Sequence, residues 1–431
     1  GVGIVRVSGP GVPSIAQAML GILPRPRFAQ HAQFLDAAGR TIDEGIALFF
    51  GRPGSFTGED VLELQGHGGP VVMDMLLNRT LQLGARLAGP GEFARRAFLN
   101  DKLDLAQAEA VADLIDSQTQ AAARSAVRSL SGEFSKRVQS LTDQIVKLRV
   151  FVEAAIDFPE EEIDFLADSH VAEQLNLIVA DVAELLRRAH TGRLLRDGMT
   201  LVIAGLPNAG KSSLMNALTG QDSAIVTHIA GTTRDVLREQ IEIDGLPVHI
   251  VDTAGLCDSG DVVEREGVRR AREQIARADH ALWVFDGQSD PGASGLADAG
   301  LPAGLAVTRI RNKIDLTASS PGRQDHRGTP EISLSAKRGE GIELLRNYLK
   351  DLVAFDGAAE GDFSARRRHL DAIALAQDVL QTGQQALIEG RAGELLAEDL
   401  RQAQLALSAI TGEFCADDLL GEIFGSFCIG K

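Results

Sequence analysis

Hydrophobic spacing divides the 431-residue chain into stretches of different texture. Over residues 1 to about 100, short apolar runs (Val2–Val7, Glu44–Phe50, Val61–Leu64) alternate with turns such as Gly51-Arg-Pro-Gly54 and Gly66-His-Gly-Gly-Pro70. Short β-like runs broken by Gly and Pro predict an α+β domain. From about 101 the apolar period becomes helical: Val138, Leu141, Ile145, Leu148 and Val152 are spaced 3, 4, 3, 4. Leu175, Ile178, Val182 and Leu185 repeat the pattern, and it returns at Leu396, Leu400, Ala403, Leu407 and Ile410. Each stripe needs an apolar partner, so the helices before 200 and after about 355 are expected to pack into one bundle. The segment between them then reads as an insertion.

That insertion alternates strands with helices. Leu201–Ala204, Val248–Val251, Ala281–Phe285, Leu305–Ile310 and Ile332–Leu334 are short apolar runs, and such alternation predicts a parallel sheet covered on both faces. The expected organisation is an N-terminal domain over 1–100, a helical domain over 101–199 and 354–431, and an inserted α/β domain over 200–353.

Composition narrows the class. Content of 44% hydrophobic and 24% charged residues is that of a globular chain, and no apolar run approaches the roughly 20 residues that span a bilayer. The chain opens on Gly1 rather than Met, which reads as a trimmed N-terminus. Three cysteines (Cys257, Cys415, Cys428) form no Cys-x-x-Cys pair, and a reducing cytoplasm is expected. A net charge of −17 argues against a broad basic nucleic-acid face. Local patches remain, at Arg366-Arg367-Arg368-His369 and at Arg124 with Arg128, each equally well read as a solvated helix face.

Chemistry enters at Gly205-Leu-Pro-Asn-Ala-Gly-Lys211-Ser212, a phosphate loop between a strand and the helical run Ser213–Leu218. Its glycines let backbone N–H groups close around phosphates, Lys211 neutralises the β/γ oxygens, and the Ser212 hydroxyl ligates Mg²⁺. Asn208, Ala209, Gly210 and Ser213 complete this loop. Asp252-Thr253-Ala254-Gly255 follows a strand, placing a carboxylate near the Mg²⁺ shell and the Gly255 N–H where a γ-phosphate is sensed. Thr233 lies between the two, where switch GTPases carry a Mg²⁺-ligating threonine. Asn312-Lys313-Ile-Asp315 supplies a carboxylate that accepts guanine N1–H and the exocyclic amine, which adenine does not offer. Ser335-Ala336-Lys337 supplies a backbone contact to the guanine oxygen. The set predicts a Ras-like P-loop GTPase domain. Many GTPases place a water-orienting glutamine after Asp-x-x-Gly, but this chain has Leu256, followed by Asp258, Asp261, Glu264 and Glu266.

The phosphate loop, Ile229-Ala-Gly-Thr-Thr-Arg-Asp235, Leu256 and the C-terminal Phe427-Cys-Ile-Gly-Lys431 together resemble the tRNA modification GTPase MnmE (TrmE) family. Ser55-Phe-Thr-Gly-Glu-Asp-Val-Leu-Glu-Leu-Gln-Gly-His-Gly-Gly69 and Pro90-Gly-Glu-Phe-Ala-Arg-Arg-Ala-Phe-Leu-Asn-Asp-Lys-Leu-Asp104 look like its N-terminal signatures. The resemblance implies a homodimer joined through N-terminal domains of tetrahydrofolate-binding fold, with the GTPase domain inserted in a helical domain. It also implies an FAD-containing partner protein, in a heterotetramer, and tRNA as substrate. The reaction implied is modification of carbon 5 of the wobble uridine, with a one-carbon unit from a tetrahydrofolate derivative (5-formyl or methylene form). By the same resemblance, K⁺ is held by Asn208, Thr227, Ile229 and Thr232, with His228, Ala230 and Gly231 in the same switch loop. Glu264 orients the attacking water, Arg6, Glu63, Lys102 and Lys431 bind folate, and Cys428 takes part in the modification chemistry.

Each of these has a plainer reading. Arg6 is also an ordinary surface arginine, Lys102 with Asp104 a helix-start ion pair, and Cys428 an inert cysteine in the apolar stretch from Ile423. A K⁺-dependent GTPase of ribosome or RNA assembly is the alternative function, although its RNA-binding flank would normally be basic.

Overall fold

The computed structural model describes residues 1–157, 169–220, 238–252, 278–290, 292–293, 295–296, 301–302, 304–317, 319–352, 363–389, 393–413, 423–425 and 427. Contacts divide the chain into two compact units, Gly1–Asp116 with Ser129–Ala183 and Asp371–Lys431, and Ser117–Arg128 with Glu184–Leu370.

In the first unit, β1 (Val2–Ser8), β2 (Gln30–Leu35), β3 (Thr41–Phe50) and β4 (Val61–His67) form an antiparallel sheet in the order β1-β4-β3-β2. One face carries Val5, Val7, Phe34, Ala47, Phe49, Leu62 and Leu64. These pack against α1 (Val12–Leu20) and α2 (Pro70–Gln82) through Ile15, Met19 and Leu76. The alternation of strand side chains leaves Arg6 and Glu63 on the opposite face, directly paired across β1 and β4. Strand β2 was absent from the expected runs. Among its residues only Phe34 is fully buried, so this edge strand has little apolar signal.

Helix α3 (Glu92–Leu99) leads to α4 (Leu105–Ile115), which starts at a reciprocal cap. The Gln107 N–H donates to Asp104 Oδ1 at 2.8 Å, and the Asp104 N–H donates to Gln107 Oε1 at 3.0 Å. Asp104 is thus a helix cap, which replaces the expected alternative of an ion pair with Lys102. After α5 (Gln120–Leu130) comes α6 (Glu133–Asp157), whose stripe Val138, Leu141, Ile145, Leu148, Val152 is buried throughout. It packs against the helix Gly393–Thr411, where Leu396, Leu400, Ala403, Leu407 and Ile410 are buried as well. Arg149 of α6 donates to Gln404 Oε1 at 2.6 Å across that seam. In α7 (Ser169–Asp197), Leu175, Ile178, Val182 and Leu185 are likewise buried.

The chain end of the same unit is anchored. Ile423, Phe424 and Phe427 are buried against Ala94 of α3 and Leu105, Ala108 and Ala112 of α4. The Phe424 ring lies 6.3 Å from Phe98 and 5.5 Å from Phe427, the latter edge-on.

The second unit is built on a seven-stranded sheet, β10-β11-β9-β8-β5-β7-β6. Its strands are β5 (Met199–Ala204), β6 (Arg238–Ile243), β7 (Leu246–Asp252), β8 (His280–Asp286), β9 (Val307–Asn312), β10 (Gly322–His326) and β11 (Thr329–Ser333). The interior from β11 to β7 is parallel, as expected, while β6 and β10 are antiparallel edges. Leu201, Ile203, Val248, Ile250, Leu282 and Val284 face one core, and Val202, Ala204, Val251, Trp283 and Phe285 face the other. Burial on both faces gives parallel strands their unbroken apolar runs.

Candidate functional site

The loops singled out in the sequence leave one edge of the second sheet. Ile203 of β5 is level with Asp252, the last residue of β7, and Asp286 of β8 is level with Asn312 of β9. The phosphate loop and the guanine loop therefore begin at the carboxyl ends of parallel strands, where open α/β sheets take ligands.

Backbone geometry explains the phosphate loop's composition. Gly205 has φ +148°, and a Cβ there would lie 2.0 Å from the Val284 carbonyl oxygen. Gly210 has φ +96°, and its Cβ would lie 2.2 Å from Asn312 Nδ2. Neither position accepts a side chain. Asn208 is also left-handed, with φ +64°, a region Asn enters more readily than most residues, and its side chain is exposed. Helix α8 (Lys211–Thr219) then starts from Gly210 with no side-chain cap, so its first N–H groups and dipole suit an anion. Lys211 Nζ donates to the Gly205 and Leu206 carbonyls at 2.9 and 3.1 Å, which holds the ammonium over the loop. Ser212 and Ser213 are exposed on the first turn of α8.

Asn312 ties the loops together. It is 2% exposed; its Nδ2 donates to the Ala209 carbonyl at 2.9 Å, and its Oδ1 accepts N–H bonds from Lys313 and Ala336 at 2.8 and 3.0 Å. One carboxamide thus joins the phosphate loop, the guanine loop and the Ser335-Ala336-Lys337 turn. Asn312→Ala removes all three bonds and is expected to strand the buried Ala209 carbonyl and Ala336 N–H, lowering stability by about 2–4 kcal/mol and weakening GTP binding. Thermal unfolding and titration with a fluorescent GTP analogue would measure this. Unchanged values in both would show that the tie does not hold the loops.

The Asp315 carboxylate is oriented from the same turn. Buried Ser335 donates its hydroxyl to Asp315 Oδ1 at 2.7 Å, while Arg338 Nε stands 3.9 Å from Oδ2. The Ser335 hydroxyl, aided by the charges of Arg338 and Lys337, holds the Asp315 carboxyl below its ordinary range. Lys313 donates its Nζ to Asp286 Oδ2 at 2.8 Å. Burial pushes Asp286 up, but Lys313 and the N–H groups of Gln288 and Ser289 outweigh it and bring the carboxyl to about 2.

In the first unit, Arg6 Nη2 and Glu63 Oε1 form an ion pair at 2.7 Å, and the Arg6 guanidinium lies 5.8 Å from the Phe93 ring centre. Arg6 is therefore more than an isolated surface arginine. Lys102 Nζ donates to the Pro53 carbonyl at 3.1 Å, and its stem lies along Gly58. The loop from 51 to 60 joins the two positions: Thr57 bonds the Ser8 hydroxyl at 2.7 Å, and Asn100 donates to the Thr57 carbonyl at 2.7 Å.

Arg96, which bonds Glu59 at 2.9 Å and Glu92 at 2.8 Å, also holds this region. Arg86 first, with Gly89 and Arg96, overcomes burial and brings the Glu92 carboxyl to about 2. Glu59 and Arg96 lie within the two N-terminal signature stretches but had not been singled out. Their signal was there, and their partnership was not.

Thr227, His228, Ile229, Ala230, Gly231, Thr232, Thr233, Thr253, Ala254, Gly255, Glu264, Cys428 and Lys431 lie outside the described residues. So do Asp258, Asp261, Glu266 and the side chain of Asp252. Arg128, Arg366, Arg367, Arg368 and His369 all have partners within the chain. No helix among the described residues is long and apolar enough to cross a membrane.

Residues 1–102 match the model of the GTP-binding protein TrmE N-terminus, and residues 105–428 match that of the MnmE helical domain. The chain belongs to the MnmE family. The tRNA modification GTPase MnmE of Pseudomonas syringae pv. tomato is 60% identical over 100% of this chain and 96% of its own length. The MnmE of Erwinia tasmaniensis is 58% identical with the same coverage. Among solved structures, the G domain of the T. maritima FeoB iron transporter aligns with 36% of this chain and 98% of its own, at 25% identity and a TM-score of 0.27. As a member of the MnmE family, the chain is a GTP hydrolase with a role in tRNA modification.

Proposed function

We propose that the chain is a K⁺-dependent GTPase that, with an FAD-containing partner protein, adds a carboxymethylaminomethyl-type group to carbon 5 of the wobble uridine of certain tRNAs, drawing one carbon from a folate. The observation that carries this reading is the docking of Phe424 and Phe427 on α3 and α4. It joins the end of the chain, one residue before Cys428, to the domain that holds Arg6, Glu63 and Lys102. A GTPase acting only as a timer has no need of an apolar segment next to Cys428 anchored there.

In this reading Asp315 selects guanine, while Lys211 and the α8 N-terminus receive the phosphates. Mg²⁺ would be held by Ser212 and Thr233, and the exposed hydroxyl of Ser212 on the first turn of α8 is the hard oxygen donor such an ion takes. Asn208, with Thr227, Ile229 and Thr232, would hold K⁺; its exposed carboxamide oxygen suits that ion. A cation there would neutralise charge that other GTPases meet with an arginine. Glu264 orients the water in place of the missing glutamine. Arg6 and Glu63 recognise the pterin, and Lys102 and Lys431 its glutamate end. The active form is a homodimer in the cytoplasm, joined with the partner in a heterotetramer. A GTPase of ribosome assembly is less well supported, because the basic run at Arg366–His369 is engaged within the chain and His369 is buried.

Cys428→Ser tests the link between tail and chemistry. Expressed in cells lacking the native protein, it is expected to leave the wobble uridine unmodified, as read by mass spectrometry of tRNA nucleosides. The purified variant is expected to retain GTP hydrolysis. Full modification by Cys428→Ser would return the cysteine to a packing role.

A further inference from the structure

Arginines gather at one end of the first unit's sheet. Residues 1–35 contain no Asp or Glu, and neither do residues 45–58, in a chain whose net charge is −17. Besides Arg6, these stretches carry Arg25, Arg27 and Arg52, all exposed and none in an ion pair among the described residues. The fold ties their segments together. The Arg27 N–H donates to the Phe49 carbonyl at 2.7 Å, and Arg27 Nη2 donates to the Gly54 carbonyl at 2.7 Å. Pro24 and Pro26 flank Arg25 and fix φ, so the segment that presents it is stiff. Phe28, 56% exposed, and Phe56, 41% exposed, stand on the same two segments. Two acidic residues follow the second segment. Asp60 Oδ1 accepts the Arg52 N–H at 2.9 Å, whereas Glu59 belongs to a balanced group with Glu92, Arg86 and Arg96. Lys102, preceded by exposed Asp101, donates to the Pro53 carbonyl at 3.1 Å. Three arginines and Lys102 thus stand against Asp60 and Asp101, and the positive charge is in excess.

We propose that this surface receives the single-stranded anticodon loop of tRNA, with Arg25, Arg27 and Arg52 on its phosphates and Phe28 against an unstacked base. The proposal rests on the tRNA-modifying reading above and says where on this chain the substrate lies. Guanidinium forks take phosphate oxygens two at a time, and aromatic rings stack on bases splayed from a single strand. The exposed aromatics beside the arginines favour RNA over an acidic protein surface, which needs only the charges. Position points the same way. The loop that carries Arg52 is bonded by Lys102, a folate residue in that reading, whose stem lies along Gly58. A strand held by Arg52 therefore runs beside the place where the one-carbon unit would reach the wobble uridine.

The test is fluorescence anisotropy of a labelled anticodon stem-loop RNA titrated with the full chain at several salt concentrations. Arg25→Gln with Arg52→Gln is expected to weaken binding about tenfold or more. It is also expected to flatten the slope of log affinity against log salt by about 1.4, two phosphate contacts at roughly 0.7 each. Neither side chain has a partner among the described residues, so the unfolding temperature and GTP turnover are expected to stay at parent values. Phe28→Ala is expected to weaken stem-loop binding about tenfold and to leave binding of a duplex of equal length unchanged. Parent affinity and slope in the double variant would overturn the surface, as would a parent that does not bind the RNA. Either result leaves the wider reading standing if the parent chain restores wobble modification in cells lacking the native protein. A double variant that binds RNA as the parent does, yet fails to restore modification, would assign the arginines to a protein partner and overturn the RNA surface. Failure of the parent chain itself to restore modification would instead overturn the tRNA-modifying reading.

Discussion

Asp315→Asn is expected to lower GTP affinity by about 10²-fold or more, as the acceptor loses its charge and one of its two oxygens becomes a donor. The same variant is expected to gain affinity for xanthosine triphosphate. Ser335 determines the direction of this switch. Its hydroxyl donates to Oδ1 of Asp315, so in the variant the carboxamide oxygen stays on the serine side and the NH₂ group takes the place of Oδ2. A donor then stands where guanine also presents a donor, whereas xanthine presents an oxygen. Competition between the two nucleotides for a fluorescent GTP analogue measures the change. Unchanged GTP affinity in Asp315→Asn would remove this loop from the base site.

Glu264→Ala is expected to bind GTP almost normally and to hydrolyse it about 10²-fold more slowly, a barrier increase of roughly 3 kcal/mol. The expectation follows from Leu256, which has no polar atom to orient a water where other GTPases place glutamine. The acids downstream are Asp258, Asp261, Glu264 and Glu266, and the family resemblance selects Glu264. Hydrolysis at the parent rate would pass the role to Asp261.

How much of this was legible in the sequence depended on whether the signal was local. The stripes on α6 and on Gly393–Thr411 could be read because helical period and burial coincide at every position from Val138 to Val152 and from Leu396 to Ile410. The interior strands β5, β7 and β8 could be read because burial on both faces leaves continuous apolar runs. Strands β2, β6 and β10 could not, since polar residues interrupt or replace their apolar runs, as an edge position tolerates. Strand β9 was expected at Leu305–Ile310 and lies at Val307–Asn312. Its Arg309 is buried through ion pairing with Glu331 at 2.9 Å, which an apolar pattern does not reveal.

In the nucleotide site the motifs named the residues but not their relations. Asn312 was expected beside the base, and only the fold shows its bond to Ala209, 103 positions away. Arg6 and Glu63 were likewise two separate candidates until the register of β1 and β4 paired them.

Phosphate release from GTP by the full chain, in K⁺ and in Na⁺ at equal ionic strength, tests the central claim most directly, with Glu264→Ala as control. The account predicts turnover about 10²-fold faster in K⁺ for the parent, since the cation replaces a charge-stabilising group, and slow turnover in both salts for the variant. Equal parent rates in the two salts would contradict it.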